Sequence, residues 1–299
     1  MVKSHRMLRV IHNPVAGPRA AAGIDRIRAF LSARGIPFEI LKTSGPGDAT
    51  VLAREAAHAG AETVIAVGGD GTVNEVANGL AGSSTRLVVV PHGTGNVISR
   101  EVGLPATVEG CLGLIESGKT IEVPLARAEN RYFLLMASAG FDAEVVARMS
   151  HRQKNILGMG AYYLAGIRHL VRTQPTLWME FPDRERMEAQ ALILCRGKTY
   201  GIATMVPDGN LEGRTLKVIA LCKTGRWAIL RFAIQALRGK HLSSPGVHTR
   251  ETRSVFVRSR IPSAAQVDGD YLCPLPVRFE MTDTKLRLVV PQEYGARTG

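Results

Sequence analysis

Two different hydrophobic rhythms divide this chain. In the first 124 residues, short apolar runs alternate with stretches of helical period. LRVIHN (8–13) reads as a strand; Ile24, Ile27 and Leu31 then fall at i, i+3 and i+7, with Gly35 placed as a helix-ending glycine. IPFEIL (36–41) alternates, and Asp48 stands as the N-cap of DATVLAREAAHAG. TVIAV (63–67) is a continuous apolar run, as a buried parallel strand requires, and Val73, Val76, Ala77 and Leu80 predict a helix from about Thr72. RLVVVP (86–91) is a further strand with another helix after HGTGN. Strands alternating with helices predict an α/β N-terminal domain, doubly wound about a mostly parallel sheet.

After IEVPLA (121–126) the period-2 pattern dominates. RYFLLMA, TLWMEF, AQALILC, TLKVIAL, RSVFVRS, PVRFEM and KLRLVV read as strands, interrupted by helical patterns at 142–150, 160–173 and 226–238. The expected organisation is an α/β domain over 1–124 and a β-rich domain over 125–289, with the boundary near Pro124 and 290–299 free to return to the first domain.

Composition fits a soluble globular protein: 45% hydrophobic, 21% charged, mean hydropathy +0.03. No run approaches the length of a membrane span, and MVKSHRMLRVIHNP lacks the apolar stretch of a secretory signal. Four scattered cysteines follow no disulfide or metal spacing, so an intracellular, cytoplasmic protein is expected. Of the formal charge of +12, residues 1–124 carry only +1, from 12 Lys and Arg against 11 Asp and Glu. The second half therefore faces an anion, or simply carries a solvated basic surface; charge alone serves both.

Candidate chemistry begins at two glycine-bearing strings. GLIESGKT (113–120) matches the P-loop spacing, but a helix (Val108, Cys111, Leu112, Ile115) precedes it and the strand IEVPL follows. A phosphate loop needs the reverse order, so that helix N–H groups face the anion. Gly68-Gly69-Asp70-Gly71-Thr72 has the right order. Its glycines permit close approach of a phosphate to peptide N–H groups, and Asp70 makes sense there if a divalent cation lies between its carboxylate and the phosphates. A tight turn with Asp70 or Thr72 as N-cap is the alternative. A second loop, PHGTGN, sets Gly93 and Gly95 around Thr94, and NPVAG (13–17) ends the first strand. Three loops at one sheet edge suit a nucleotide.

Together NPVAG, GGDGTVNEVANGL and PHGTGNVISREVGLP resemble the diacylglycerol kinase catalytic-domain family, and the similarity extends through AGFDAEVV (139–146) and VDGDYL (267–272). GGDGT alone is shared with NAD kinases. The resemblance implies an NAD kinase-like nucleotide domain, a sandwich-like lipid domain, and ATP with Mg²⁺ as cofactors. It implies that Asn13 and Thr43 help hold ATP, and that Gly68–Thr72, Asn74, Gly93 and Thr94 line its phosphates. Asp70 would engage the catalytic Mg²⁺, and Asp142 would orient the lipid hydroxyl or the metal shell. The family's general base is the glutamate of a DGE motif; here Asp268-Gly269-Asp270 puts Asp270 in that place, one methylene shorter.

Other positions depart as well. The second acid of the family's structural Mg²⁺ stretch corresponds to Gly213, with Glu212 beside it; the later asparagine corresponds to Arg196; the acid after GTGN is Val97. The activity expected is phosphorylation of a diacylglycerol-like or sphingoid lipid. The rivals are an NAD kinase and a non-catalytic nucleotide- or lipid-binding relative. The expected partner is lipid at an anionic membrane surface, met through the basic residues from Arg148 to Arg172 around ILGMGAYYLAGI or through the helix carrying Trp227 and Arg231, with core packing as the plain alternative for both. A homodimer is left open, and nucleic acid ranks last because it would explain the charge but not the glycine loops; aromatics at 5% also weaken a single-strand stacking platform.

Overall fold

The structure, a computed structural model, describes residues 7–16, 20–148, 175–200, 203–222 and 225–295. The helical pattern at 160–173 and the basic cluster from His151 to Arg172 lie outside these residues. The chain divides into two compact units, Met1–Leu125 with Asp283–Gly299, and Ala126–Thr282. The return to the first unit thus starts at 283, seven residues before the expected 290.

In the first unit the strands β1 (Leu8–His12), β2 (Phe38–Lys42), β3 (Thr63–Gly68) and β4 (Arg86–Pro91) are parallel in the order β2-β1-β3-β4. The last strand of the chain, β18 (Val277–Val290), adds a fifth: Arg287 and Leu288 pair in parallel with Arg86 and Leu87. All six residues of β3 are buried, which only a sheet covered on both faces allows. Ile65 and Val67 point into a core with Val10, Val88 and Val90, closed by Ile27 and Leu31 of helix α1 (Ala20–Ala33) and by Leu112 of helix α5 (Val108–Ser117). Strand alternation leaves Val64 and Ala66 for the opposite face. Each such side chain contributes about 1.5–3 kcal/mol by leaving water. Helices α2 (Asp48–His58) and α3 (Asp70–Leu80) approach so closely that a Cβ on Gly79 would lie 2.4 Å from the carbonyl oxygen of Thr50. Glycine there is a packing requirement.

One expectation about a helix end needs correction. Asp48 is not the N-cap of α2; Gly47 is, at φ +89°, and the Asp48 carboxylate turns back to accept from the N–H groups of Ser44 and Gly45. The carboxylate of Glu75, on α3, accepts instead from the N–H groups of Gly47 and Ala49. Gly118 ends α5 without a left-handed backbone, at φ −79°. It is glycine because a Cβ would press on the carbonyls of Leu114 and Val290. The strand β5 (Lys119–Ala128) follows directly, so GLIESGKT does run from helix to strand.

The second unit is a sandwich of antiparallel sheets. One has the order β14 (Val247–Thr252), β13 (Leu216–Leu221), β10 (Ala191–Cys195), β7 (Met136–Gly140), β16 (Ala264–Val267), β17 (Asp270–Pro274). In the other, the first half of β18 pairs with β15 (Ser254–Ser259), then β8 (Leu177–Glu180) and β9 (Arg186–Ala189), while β5 pairs with β6 (Arg131–Phe133). Leu192, Leu194, Val218 and Val267 from the first sheet meet Leu177, Val255, Val257 and Phe279 from the second in one buried core. The two runs PVRFEM and KLRLVV are a single 14-residue strand. Helix α6 (Phe141–Ala147) follows β7, and helix α7 (Arg226–Leu237) lies between β13 and β14.

Candidate active site

In the first unit, backbone hydrogen bonds stitch the carboxyl ends of the parallel strands together. The N–H of Thr43 donates to His12 O at 3.0 Å, that of Asn13 to Val67 O at 3.0 Å, and that of His92 to Gly68 O at 2.8 Å. This brings Thr43, Asn13, the Gly68–Thr72 loop and the Gly93–Thr94 loop to one sheet edge. The edge includes the point between β1 and β3 where strand order reverses, the usual ligand position in such sheets.

The two glycine loops touch. A Cβ on Gly93 would lie 2.7 Å from the Gly69 Cα, backbone against backbone, so no side chain fits there. Asn96, in a left-handed conformation at φ +45°, closes the second loop by accepting from the Gly93 N–H and donating to its carbonyl. Asn13 Nδ2 donates to Thr72 Oγ1 at 3.0 Å, which leaves the threonine hydroxyl proton to point elsewhere.

Asp70 opens α3, whose N-cap is Gly69 with no side-chain bond. Neither Asp70 nor Thr72 caps that helix. Instead Asp70 Oδ1 accepts from the N–H of Val97 at 2.7 Å and more weakly from Ile98 at 3.4 Å, at the start of helix α4 (Val97–Val102). Its Oδ2 lies against Gly95, where a Cβ would approach to 2.6 Å. The carboxylate is thus fixed where both glycine loops meet. Val97, where the family resemblance puts an acid, contributes its backbone N–H here. Asn74 is placed differently: it is 2% exposed, one turn inside α3, and its Oδ1 accepts from Asn78. Thr94 is exposed on its loop and Thr43 is half-buried.

In the second unit, Asp268 and Gly269 form a two-residue hairpin turn between β16 and β17, both at positive φ (+47° and +85°). The Asp268 side chain turns inward onto the backbone that leads into β7. Its Oδ2 accepts from the Leu134 N–H at 2.7 Å, and its Oδ1 from Leu135 at 2.9 Å and Met136 at 3.0 Å. Burial pushes its carboxyl above the usual range, against the opposing pull of those three N–H groups and of Arg131. Asp270 begins β17, and its Oδ2 accepts from the Arg131 guanidinium at 3.0 Å. Asp142, in the first turn of α6, accepts from Ser138 Oγ at 2.5 Å and from Gln266 Nε2 at 3.3 Å. Gln266, fully buried, also accepts from the Gly269 N–H, so one side chain ties Asp142 to the turn preceding Asp270. Arg131, Ser138 and Gln266 carry no local signature in the sequence, and Asp268 shows there only as part of the Asp268-Gly269-Asp270 string, without its partners.

The residues of the first unit fit a nucleotide and its cation: an α3 N-terminus without a side-chain cap, side-chain-free loop backbone, and one fixed carboxylate. Asp70 is a single carboxylate, and among the described residues no three His, Cys, Asp or Glu side chains gather. That set suits a Mg²⁺ that takes its remaining ligands from phosphate and water. A second, structural Mg²⁺ does not fit. Where the resemblance puts an asparagine, the guanidinium of Arg196, 3% exposed, donates to the carbonyls of Leu134 and Leu211 at 3.1 and 2.6 Å and reaches Gly213 O at 3.5 Å. A fixed cation already takes the carbonyl oxygens of the 211–213 loop.

Comparison with known proteins agrees with this architecture. Residues 7–128 match the diacylglycerol kinase catalytic domain, and residues 136–290 the YegS C-terminal NAD kinase beta sandwich-like domain. A diacylglycerol kinase of Staphylococcus haemolyticus is 30% identical over 292 residues, covering 95% of this chain and 88% of the relative. One from Staphylococcus aureus is equally identical over 292 residues and covered to 92%. Among solved structures, a Bacillus anthracis chain provisionally described as a diacylglycerol kinase superposes with a TM-score of 0.80 at 24% identity, covering 98% of each chain. Another Bacillus anthracis structure, described as a diacylglycerol kinase, gives 0.75 at 22%, covering 98% of this chain and all of its own. The chain belongs to the diacylglycerol kinase catalytic domain family, joined to the C-terminal sandwich of the YegS type.

Proposed function

We infer that this protein is an ATP- and Mg²⁺-dependent lipid kinase. It transfers the γ-phosphate to a hydroxyl of a diacylglycerol-like or sphingoid lipid, at a membrane surface it visits peripherally. The observation that carries the reading is Asp70: a carboxylate held by two backbone N–H groups at the meeting point of two glycine loops. Family membership and relatives named diacylglycerol kinase at 30% identity support the same chemistry. Among the described residues no helix is long and apolar enough to cross a membrane.

When bound, Mg²⁺ supplies neutralisation of the negative charge on the β- and γ-phosphates. The chain's own part is positioning. The first-turn N–H groups of Gly71 and Thr72 have no intrahelical acceptor and are directed at an anion. Asn13 sets the Thr72 hydroxyl so that its proton can be donated to a phosphate oxygen. Asp70, prevented from swinging by α4, holds its second oxygen for the cation's water shell. Asp270 accepts the proton of the attacking hydroxyl, and Arg131 keeps its carboxylate in one orientation meanwhile. Asp142, gripped by Ser138 and Gln266, orients the hydroxyl donor.

The test is a kinase assay with labelled ATP on fractionated lipids, NAD included as a competing acceptor, and the product identified by mass. A phosphorylated diacylglycerol or sphingoid lipid is expected. Labelled NADP as sole product, or ATP binding with no transfer, overturns the reading.

A further inference from the structure

Helix α7 carries large apolar side chains on two opposite faces, where a surface helix ordinarily has one. Ile229, Phe232 and Ala236 face inward, packing with Ile219, Leu221 and Val247 of the sheet behind. Trp227, Leu230, Ile234 and Leu237 recur at i, i+3, i+7 and i+10 on the other side. Trp227 is 72% exposed, Leu237 59% and Ile234 41%. Among the described residues eight large hydrophobic side chains are exposed, and three of them stand on this one helix. Such a concentration marks a surface built to be covered.

Charge identifies what covers it. From Gly213 to Arg250 the sequence contains eight Lys and Arg and no Asp or Glu. On the helix and just past it, Arg231, Arg238 and Lys240 are exposed and fall beside the apolar stripe. A half-open recess of about 260 Å³, lined by Leu221, Phe232, Pro245 and Val247 with Arg231 and Trp227, borders the same stripe. A protein partner would need acidic groups around an apolar ridge. An anionic bilayer offers both in the required order, phosphates outside and acyl chains inside, and tryptophan with arginine is the pairing that settles at that boundary.

We propose that α7 is the membrane-docking element of this protein, lying in the plane of an anionic lipid surface with Trp227, Ile234 and Leu237 inserted and Arg231, Arg238 and Lys240 on the headgroups. The proposal deepens the lipid-kinase reading and rests on it, but its readout does not need catalysis.

The full chain is mixed with phosphatidylcholine vesicles with and without phosphatidylglycerol. The chain has two tryptophans, Trp178 and Trp227. A blue shift of emission is expected only with the anionic lipid, reversed by salt and lost in Trp227→Phe, which keeps the apolar bulk and the fold. Co-sedimentation should weaken at least tenfold in the triple variant Trp227→Ser, Ile234→Ser, Leu237→Ser, and roughly fivefold for each of Arg231→Gln and Arg238→Gln. Two results overturn the proposal: a blue shift that persists in Trp227→Phe, or triple-variant binding equal to the parent's. A third is a concentration-dependent dimer of the parent that the triple variant loses, since the face would then belong to a second copy. Each protein is also given a short-chain diacylglycerol in detergent. Equal phosphorylation there, with vesicle binding lost only in the variants, supports the proposal. No phosphorylation by any of them defeats the kinase reading, and the fluorescence result still decides the docking.

Discussion

Asp268 and Arg196 grip the same stretch of main chain by its opposite poles. The carboxylate of Asp268 takes the N–H groups of Leu134, Leu135 and Met136, while the guanidinium of Arg196 takes the carbonyl of Leu134 and its backbone N–H that of Leu135. A segment held from both sides in this way is a fixed support, and Asp268 is two residues from Asp270. An aspartate too short to reach like a glutamate needs a turn that does not drift.

Asp268→Asn keeps the shape but halves the acceptor capacity, so one buried N–H loses its partner. Unit 2 should lose about 1–3 kcal/mol. Both tryptophans lie in this unit, so urea unfolding followed by fluorescence reads it directly. The folded carboxyl titrates above its unfolded value, so the native state holds the proton longer than the unfolded one. Its contribution is therefore fullest at and below the ordinary carboxylate range and declines as pH rises above that range. The stability gap between wild type and Asp268→Asn should narrow across that rise.

Arg196→Met should destabilise the same unit by roughly 1–3 kcal/mol for each carbonyl it orphans. Addition of a chelator to the wild type should leave the fluorescence-monitored transition where it is, because the loop already has its cation.

Asp70→Asn should leave the unfolding transition nearly unchanged, since an amide oxygen can still accept from the Val97 N–H. Turnover should fall about 10–100-fold. A variant that retains full turnover removes Asp70 from the mechanism.

Gly93→Ala puts a methyl group 2.7 Å from the backbone of Gly69. The strain of parting the two loops should cost about 1–3 kcal/mol and weaken ATP binding measured by calorimetry. Gly45→Ala, which meets nothing within 4 Å, is the control.

Asp270→Asn should lower kcat by about 10²–10⁴, the ordinary worth of a general base, with little change in KM. Arg131→Gln breaks a pair whose side chains are 28% and 29% exposed, so its stability effect should stay within about 1 kcal/mol. Loss of kcat in Arg131→Gln with the unfolding transition unmoved marks Arg131 as a positioning residue.

The glycine-loop edge of the first unit is readable from sequence because its parts are local. An apolar run, a glycine loop and an i, i+3, i+4 pattern all sit within twenty residues, and β3 and α3 form where that pattern lies. The hairpin turn at Asp268-Gly269 is readable for the same reason. What the side chains do is not. The partners of Asp268 lie more than 130 residues away, Arg131 is 139 from Asp270, and Glu75 caps a helix that starts 27 residues earlier. Local pattern sees a carboxylate in a turn and assigns it to solvent or to the nearest helix. Only the pairing of distant strands shows that Asp70 serves α4, that Glu75 serves α2 and that Asp268 serves β7.

The first unit draws its fifth strand from the far end of the chain, residues 283–290, beyond all of 126–282. On a ribosome, β4 is therefore made long before its neighbour. At typical elongation rates the delay is roughly 10–40 s. Throughout it, the edge of β4 at Arg86 and Leu87, which Arg287 and Leu288 will take, is available to any passing strand. The first unit cannot be finished until the second has been synthesised, so the order of translation makes the second half of the protein a condition for completing the first.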